Sequence, residues 1–594
     1  MKKIQYFVFL LCLLTATSLV SCGDDGNNNA EKPQVGITEQ SWNNGEALEI
    51  SKGQDLTVNF TATAKWVARI TEGADWCKLS KTSGTEGRNT IILSVSTTSS
   101  TDRTAKIAFY VDGYAPVSLA VTQKATEPEE TEDTEVNRQV DEYLKEMYLW
   151  NDEYKTLKLD FTKNYEEFFY GALGSMKTNT LDKRPNGNGG YSLFSYIEKK
   201  SPVGGSTRAG TQIEREQEYC FGFTGMIAVM ISKDKKYAFC IQGVYPDSPA
   251  SAAGIKRGTY ISQVNGQAIT ESNVQSLFLD LMFPESTPTL KLTEFIIHEN
   301  NSTETKEIPA ITAKAMYKNP ILYRDIIETG GHKIGYLVYS GFDAGFDDLL
   351  FDVFKEFKTK GIEDLVLDLR YNGGGHVTSA NLIASCVAGS KSKGLVFAKY
   401  RYNDERMKKI EDKNEEPFLY DYYANLKSSL TAGGLNLNRL YCLVGNQTAS
   451  ASELVINSLR GIDTEVILIG ERTTGKNVGM EPVDITARGN TYRVVPITFQ
   501  TYNAKGFGDY QEGFKPEIPL DETDADGDGY FDDYTDYGKP EEPLLARAIQ
   551  EITKQTPPQV RSLNRKGIGR TILPMPVIYR PGHDGMIKFN EPAR

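Results

Sequence analysis

The chain has 594 residues, of which 24% are charged and 39% hydrophobic, and its 66 Lys+Arg against 79 Asp+Glu give a net charge of -13. At roughly 150 residues per domain this is too long for a single core, so three or four domains are expected. An acidic chain repels a phosphate backbone, which excludes nucleic acid as a partner.

Residues 1–22, MKKIQYFVFLLCLLTATSLVSC, combine a Lys pair, an apolar run and small residues, the layout of an export signal. Leu19-Val20-Ser21-Cys22 resembles the bacterial lipobox. The resemblance implies cleavage after residue 21, lipidation of Cys22 and anchoring in the bacterial cell envelope, with the outer membrane as the expected location. Residues 22–34 read as a polar tether. No later run reaches the ~18 apolar residues needed to span a bilayer. The scattered Cys77, Cys220, Cys240, Cys386 and Cys442 lack metal-ligand spacing and read as buried small residues, with Cys220/Cys240 as the one disulfide candidate.

Strand-like runs separated by Gly, Ser, Thr and Asp turns predict an all-β sandwich over 35–125. WVARI, DWCKLS, SGTEG, DRTAKIAF and VTQ resemble the BACON domain, an immunoglobulin-like module of Bacteroidetes surface proteins. The resemblance implies either a glycan-binding module or a spacer, and Trp66 and Trp76 are expected in its core. Residues 126–135, TEPEETEDTE, read as an acidic linker. A helical segment is expected over 136–203, opened by an amphipathic helix with Val136, Val140, Leu144, Met147 and Tyr148 on one face.

Residues 204–307 contain CFGFTGMIAVM and SPASAAGIKRGTYISQVNG, which resemble a PDZ domain. The resemblance implies that Phe221, Gly222, Phe223 and Thr224 form a loop receiving a peptide's terminal carboxylate, beside a sheet edge that accepts the peptide as an added strand.

From 308 to 555 strand-like runs alternate with helix-like ones, predicting an α/β core. Three strands end in glycine-rich or small-residue loops, at 368–375, 445–453 and 470–479, where α/β sheets bind ligands. Ser450 opens a helix, and Ser450-Ala451-Ser452-Glu453 spells a capping box. A nucleophilic serine needs a proton acceptor and an oxyanion cage. Gly374 and Ala451 are candidate backbone donors, and Lys476 is a candidate base because desolvation favours the neutral amine. Gly470 to Lys476 also fits the start of a phosphate-binding loop, but Asn477 replaces the required Ser or Thr.

These three loops resemble the C-terminal processing peptidases, serine peptidase family S41. The resemblance implies a ClpP/crotonase-like fold, a Ser450 nucleophile and a Lys476 base 26 positions later, with no cofactor for catalysis. It also implies a protein or peptide substrate recognised near its C-terminus. Two positions depart from the family pattern. Met480 replaces the Gln that orients the lysine, leaving that role vacant or to Asn477 or Glu453, and Gly373 replaces a Pro, followed by His376. A catalytically weak or inactive surface binder is therefore the alternative. His376 is the competing base, and its ring is expected to face substrate or solvent.

DADGDGYFDD places Asp524, Asp526 and Asp528 at positions one, three and five of a Ca²⁺ loop, with Thr535 where Glu is wanted. A structural Ca²⁺ is the expectation from the first half of the pattern, completed by Asp532, Asp533 or Asp536. Residues 556–594 read as a tail.

Overall fold

The computed structural model describes residues 35–43, 45–51, 53–95, 97, 99, 101–125, 130–185, 189–200, 217–231, 235–298, 300, 302–411, 413–420, 429–525, 527, 529–555, 569–573 and 586–587. The signal, the tether and Cys22 lie outside them. No helix among them is long and apolar enough to cross a membrane.

The chain divides into two compact units, residues 1–130 and 131–594. In the first, one sheet orders the strands Ile37–Thr38, Asp55–Ala62, Gly87–Val95 and Cys77–Leu79, and a second orders Ala47–Glu49, Val117–Gln123, Arg103–Val111, Trp66–Glu72 and Ser83–Gly84. Every second residue in the later part of Asp55–Ala62 and of Gly87–Val95 enters the core that the two sheets share. Trp66 and Trp76 are 1% and 5% exposed. Trp66 packs edge-on against Phe60, so neither ring offers a face to a sugar.

The second unit begins earlier than the composition suggests. The helix Glu132–Met147 takes in the end of the acidic stretch, because Thr131 accepts the Thr134 N–H and Glu132, Asp133 and Glu135 favour the positive end of the helix. Val136, Val140, Leu144 and Tyr148 are fully buried, while Met147 is half-buried. The expected helical segment contains the further helix Tyr165–Ser175 but ends in strands. Tyr196–Lys199 pairs with Asn490–Val495, so this segment is built into the rest of the second unit.

Residues 218–316 contain a curled antiparallel sheet in which Thr303–Glu307, Leu292–Ile297, Tyr260–Val264, Lys236–Val244 and Phe223–Ile231 are neighbours in that order, with the helix Val274–Met282 packed into the same core. Cys220 and Cys240 are free and buried. The disulfide expectation fails because Cys220 pairs with Lys314 in a separate two-stranded ladder, whereas Cys240 sits mid-strand between Ile227 and Tyr260.

The centre of the unit is a six-stranded sheet ordered Ile321–Thr329, His332–Tyr339, Asp364–Asp368, Arg439–Val444, Glu465–Gly470 and Ile518–Pro519. Only the first pair is antiparallel. The other pairings are parallel, with helices Asp347–Lys360, Val377–Ala388 and Ala451–Gly461 in one core and Pro543–Thr553 in another. All three singled-out loops therefore leave the same end of the sheet. That end is braced by Arg370, which pairs with Asp368 at 2.7 Å, with Glu542 at 2.6 Å and with Glu522. Arg257, from the inserted sheet, reaches the same Glu522 at 2.8 Å. Burial pushes the Glu522 carboxyl up, but the two guanidiniums outweigh it and hold it below the usual range.

Candidate active site

Ser450 follows the strand Arg439–Val444 and opens the helix Ala451–Gly461. Its backbone, φ 62° and ψ -112°, is a conformation that a non-glycine residue adopts only under strain of about 1–3 kcal/mol. The capping box joins it to Glu453. The short bond belongs to the carboxylate half, Ser450 N–H donating to Glu453 Oε2 at 2.9 Å. Ser450 Oγ is buried and makes no hydrogen bond of ordinary geometry.

Glu453 is the hub. Its Oε2 also accepts the Lys476 N–H at 2.8 Å, and its Oε1 accepts the Thr473 hydroxyl at 2.6 Å and the Gly475 N–H at 2.7 Å. One carboxylate oxygen thus fixes the backbone nitrogens of Ser450 and Lys476 together. Burial pushes the Glu453 carboxyl up to about 7 against these four donors.

Lys476 is 1% exposed. Its Nζ lies 4.4 Å from the centre of the Phe194 ring and 4.0 Å from Met480 Sδ. Asn477 does not reach round to it through its amide nitrogen, which donates to Gly508 O at 2.7 Å. Asp182, beside Phe194 through the Phe194 N–H···O bond of 2.8 Å, is fully buried and accepts Ser195 N–H, Ser195 Oγ–H and Tyr148 O–H, each at 2.7 Å. Burial pushes Asp182 up to about 6, opposed by these bonds and by the charge of Lys476.

Gly374 abuts the serine: a Cβ there would meet Ser450 Cβ at 2.9 Å and Ala451 N at 3.0 Å, and its φ of 111° is one a side chain would strain. The Gly374 N–H donates to Asn372 Oδ1 at 2.9 Å. Ala451 N–H, at the first helical position, has no intrahelical acceptor. Asn372 is fully buried, and its carbonyl accepts Ser452 Oγ–H at 3.0 Å and Ala449 N–H at 3.1 Å, locking the glycine turn to the serine turn. His376 is half-buried with its Nδ1 covered, and burial pushes its imidazole down to about 4.

The remaining candidates lie apart. Phe221 and Phe223 are buried and Gly222 has φ 105°, a Cβ there colliding with Ser248. Asp524 accepts the Gly529 N–H at 3.1 Å, whereas Asp526 and Asp528 lie outside the described residues. Asp533 is committed elsewhere, to Arg570 and the Tyr260 hydroxyl, both at 2.5 Å. Among the described residues no cluster of three or more His, Cys, Asp or Glu could hold a metal.

Residues 333–520 match the model of peptidase family S41, and residues 135–196 match the peptidase S41 N-terminal domain. The chain carries an S41 peptidase domain. Residues 66–124 match the BACON N-terminal domain. The crystal structure of a Bacteroides fragilis S41 protease superposes with a TM-score of 0.54 at 27% identity, covering 70% of this chain and 97% of that one. Among curated relatives, the chloroplastic C-terminal processing peptidase of Tetradesmus obliquus is 24% identical over 295 residues, 48% of this chain and 57% of that protein. The carboxy-terminal processing protease CtpA of Bacillus subtilis is 23% identical over 350 residues, 58% and 67% of the two chains. The chain spans about half the length of the first curated relatives it matches. Ser450, Lys476 and Gly374 all fall inside the S41 domain, while Asp182 and Phe194 come from the S41 N-terminal domain. Nothing in the local sequence marks Asp182, Phe194 or Asn372 as parts of the site.

Proposed function

We propose that the chain is a serine endopeptidase of the C-terminal processing type, acting through a Ser450/Lys476 dyad. The observation that carries this reading is the single Glu453 oxygen that receives both the Ser450 and the Lys476 N–H. The neutral amine of Lys476 takes the Ser450 proton as Oγ attacks the scissile carbonyl. The oxyanion is received by Ala451 N–H and by Gly374 N–H, the latter once it releases Asn372. Lys476 then returns the proton to the leaving amine, and water hydrolyses the acyl-enzyme.

The substrate is a protein chain with an accessible C-terminal segment, gripped at the PDZ-like loop of Phe221, Gly222, Phe223 and Thr224. Cys22 anchors the protein by lipid in the cell envelope, and the BACON domain serves as spacer or glycan contact. One observation favours a catalytically weak scaffold instead: Met480, where an orienting Gln is usual, offers Lys476 a thioether rather than a strong acceptor. Incubation with denatured casein separates the two readings. Wild type hydrolyses it and Ser450→Ala loses the activity, on the order of a million-fold; unaltered hydrolysis by the variant overturns the assignment.

A further inference from the structure

Two short strands from beyond residue 555 lie on the two edges that a substrate peptide would use. Arg570–Ile572 adds antiparallel to Phe223–Ile231, with Arg570 opposite Ile231 and Ile572 opposite Val229. The Leu573 N–H continues the ladder to Ala228 O at 2.9 Å, towards the Phe221–Thr224 loop. Leu573 packs against the cluster containing Phe221, Phe223, Val274 and Leu277. That is the groove between the sheet edge and the helix Val274–Met282. The strand is pinned at its start by Arg570, whose guanidinium holds Asp533 at 2.5 Å.

The second strand, Met586–Ile587, runs between the two walls of the candidate active site. It pairs in parallel with Gly375–His376 on one side and with Val478–Met480 on the other, Met586 opposite both Gly375 and Gly479, and Ile587 opposite both His376 and Met480. One wall thus continues the glycine turn that abuts Ser450. The other continues the loop that carries Lys476. Ser450 is 0% and Lys476 1% exposed.

We infer that these two edges are strand-addition surfaces for extended peptide and that the chain's own residues 570–573 and 586–587 are their resident occupants, so that an incoming peptide must displace them. Main-chain pairing supplies most of the grip in strand addition and is indifferent to side-chain identity. An intramolecular strand also competes at a high effective concentration. The free enzyme is accordingly self-occupied. Its activity readout rests on the peptidase reading, but its binding readout does not.

The test uses the full chain in two backgrounds. In Ser450→Ala protein, a fluorescent peptide with the sequence of residues 583–590, HDGMIKFN, is titrated against the chain with and without Ile587→Pro, which removes a backbone N–H from the cleft strand. We expect at least tenfold tighter binding to the Ile587→Pro chain. With Ser450 intact, Ile587→Pro should hydrolyse casein at least tenfold faster than wild type. Should Ile587→Pro fail to fold, a sequence-specific protease site placed between residues 573 and 586 and cut after folding releases the same strand, with the same expectation. Equal peptide affinity before and after release, or no binding to either form, overturns the inference. Tighter binding after release with no hydrolysis in any chain supports the resident strand and sinks the peptidase reading instead.

Discussion

The two ends of Lys476 are held by opposite chemistry. Its backbone is fixed by a buried carboxylate that also receives Ser450, Thr473 and Gly475. Its ammonium lies against an aromatic ring and a thioether, with the Asp182 charge behind. The polar end sets where the lysine starts relative to the serine turn. The soft end seats the ammonium against the Phe194 ring and the Met480 thioether. Backbone placement and the surroundings of the ammonium are thus set by different residues, and can be broken separately.

The largest break is at the tip. Lys476→Ala should cost about 10⁴-fold or more in kcat on casein. Lys476→Arg should be as inactive, since a guanidinium stays protonated, while His376→Ala keeps substantial turnover because Lys476, and not the imidazole that burial pushes down to about 4, serves as base. Next comes the polar end. Glu453→Ala leaves four donors, three of them buried, without their acceptor and should lower unfolding free energy by about 3 kcal/mol or more, read by urea denaturation.

Glu453→Gln tests the same hub through pH. The Glu453 carboxyl is raised from 4.5 to about 7 in the folded state, so the folded state binds the extra proton between those values. The stability it contributes is present below the unfolded value and lost as pH rises through about 7. The advantage of wild type over Glu453→Gln should therefore shrink between about pH 4.5 and 7; an advantage that grows with pH would contradict the assignment.

Met480→Gln sharpens the soft end. One added neutral hydrogen bond to Lys476, about 0.5–1.5 kcal/mol, should raise turnover by roughly 2- to 10-fold without changing the melting temperature appreciably. The smallest effect expected is at the acidic loop beginning at Asp524, where saturating chelator should lower the melting temperature by a few degrees if Ca²⁺ binds the folded state. An unchanged melt returns it to a solvated turn.

Much of this arrangement was legible along the chain because it is local. Glycines at strand ends, a serine at a helix start and a buried lysine after an apolar strand each announce themselves within ten residues. The amphipathic face of Val136, Val140 and Leu144 is equally local, and the structure buries it. What was not legible depends on distance in sequence. Asp182 and Phe194 reach Lys476 across nearly 300 positions through a strand that joins the Asn490–Val495 ladder. Their types are unremarkable where they stand. Asn372 reads as a turn residue and becomes a lock only because the turns at 372–375 and 449–452 pack together. The Cys220/Cys240 expectation failed for the same reason, since spacing carried no information about which ladder each strand joins.

The central claim is that Ser450 is activated by Lys476. Intact-mass and peptide mapping after exposure to a fluorophosphonate probe tests it directly, in wild type, His376→Ala, Lys476→Ala and Lys476→Arg chains. The account predicts a single adduct on Ser450 in the first two and none in the lysine variants. An adduct on Ser450 that persists in Lys476→Ala and disappears in His376→Ala would contradict it.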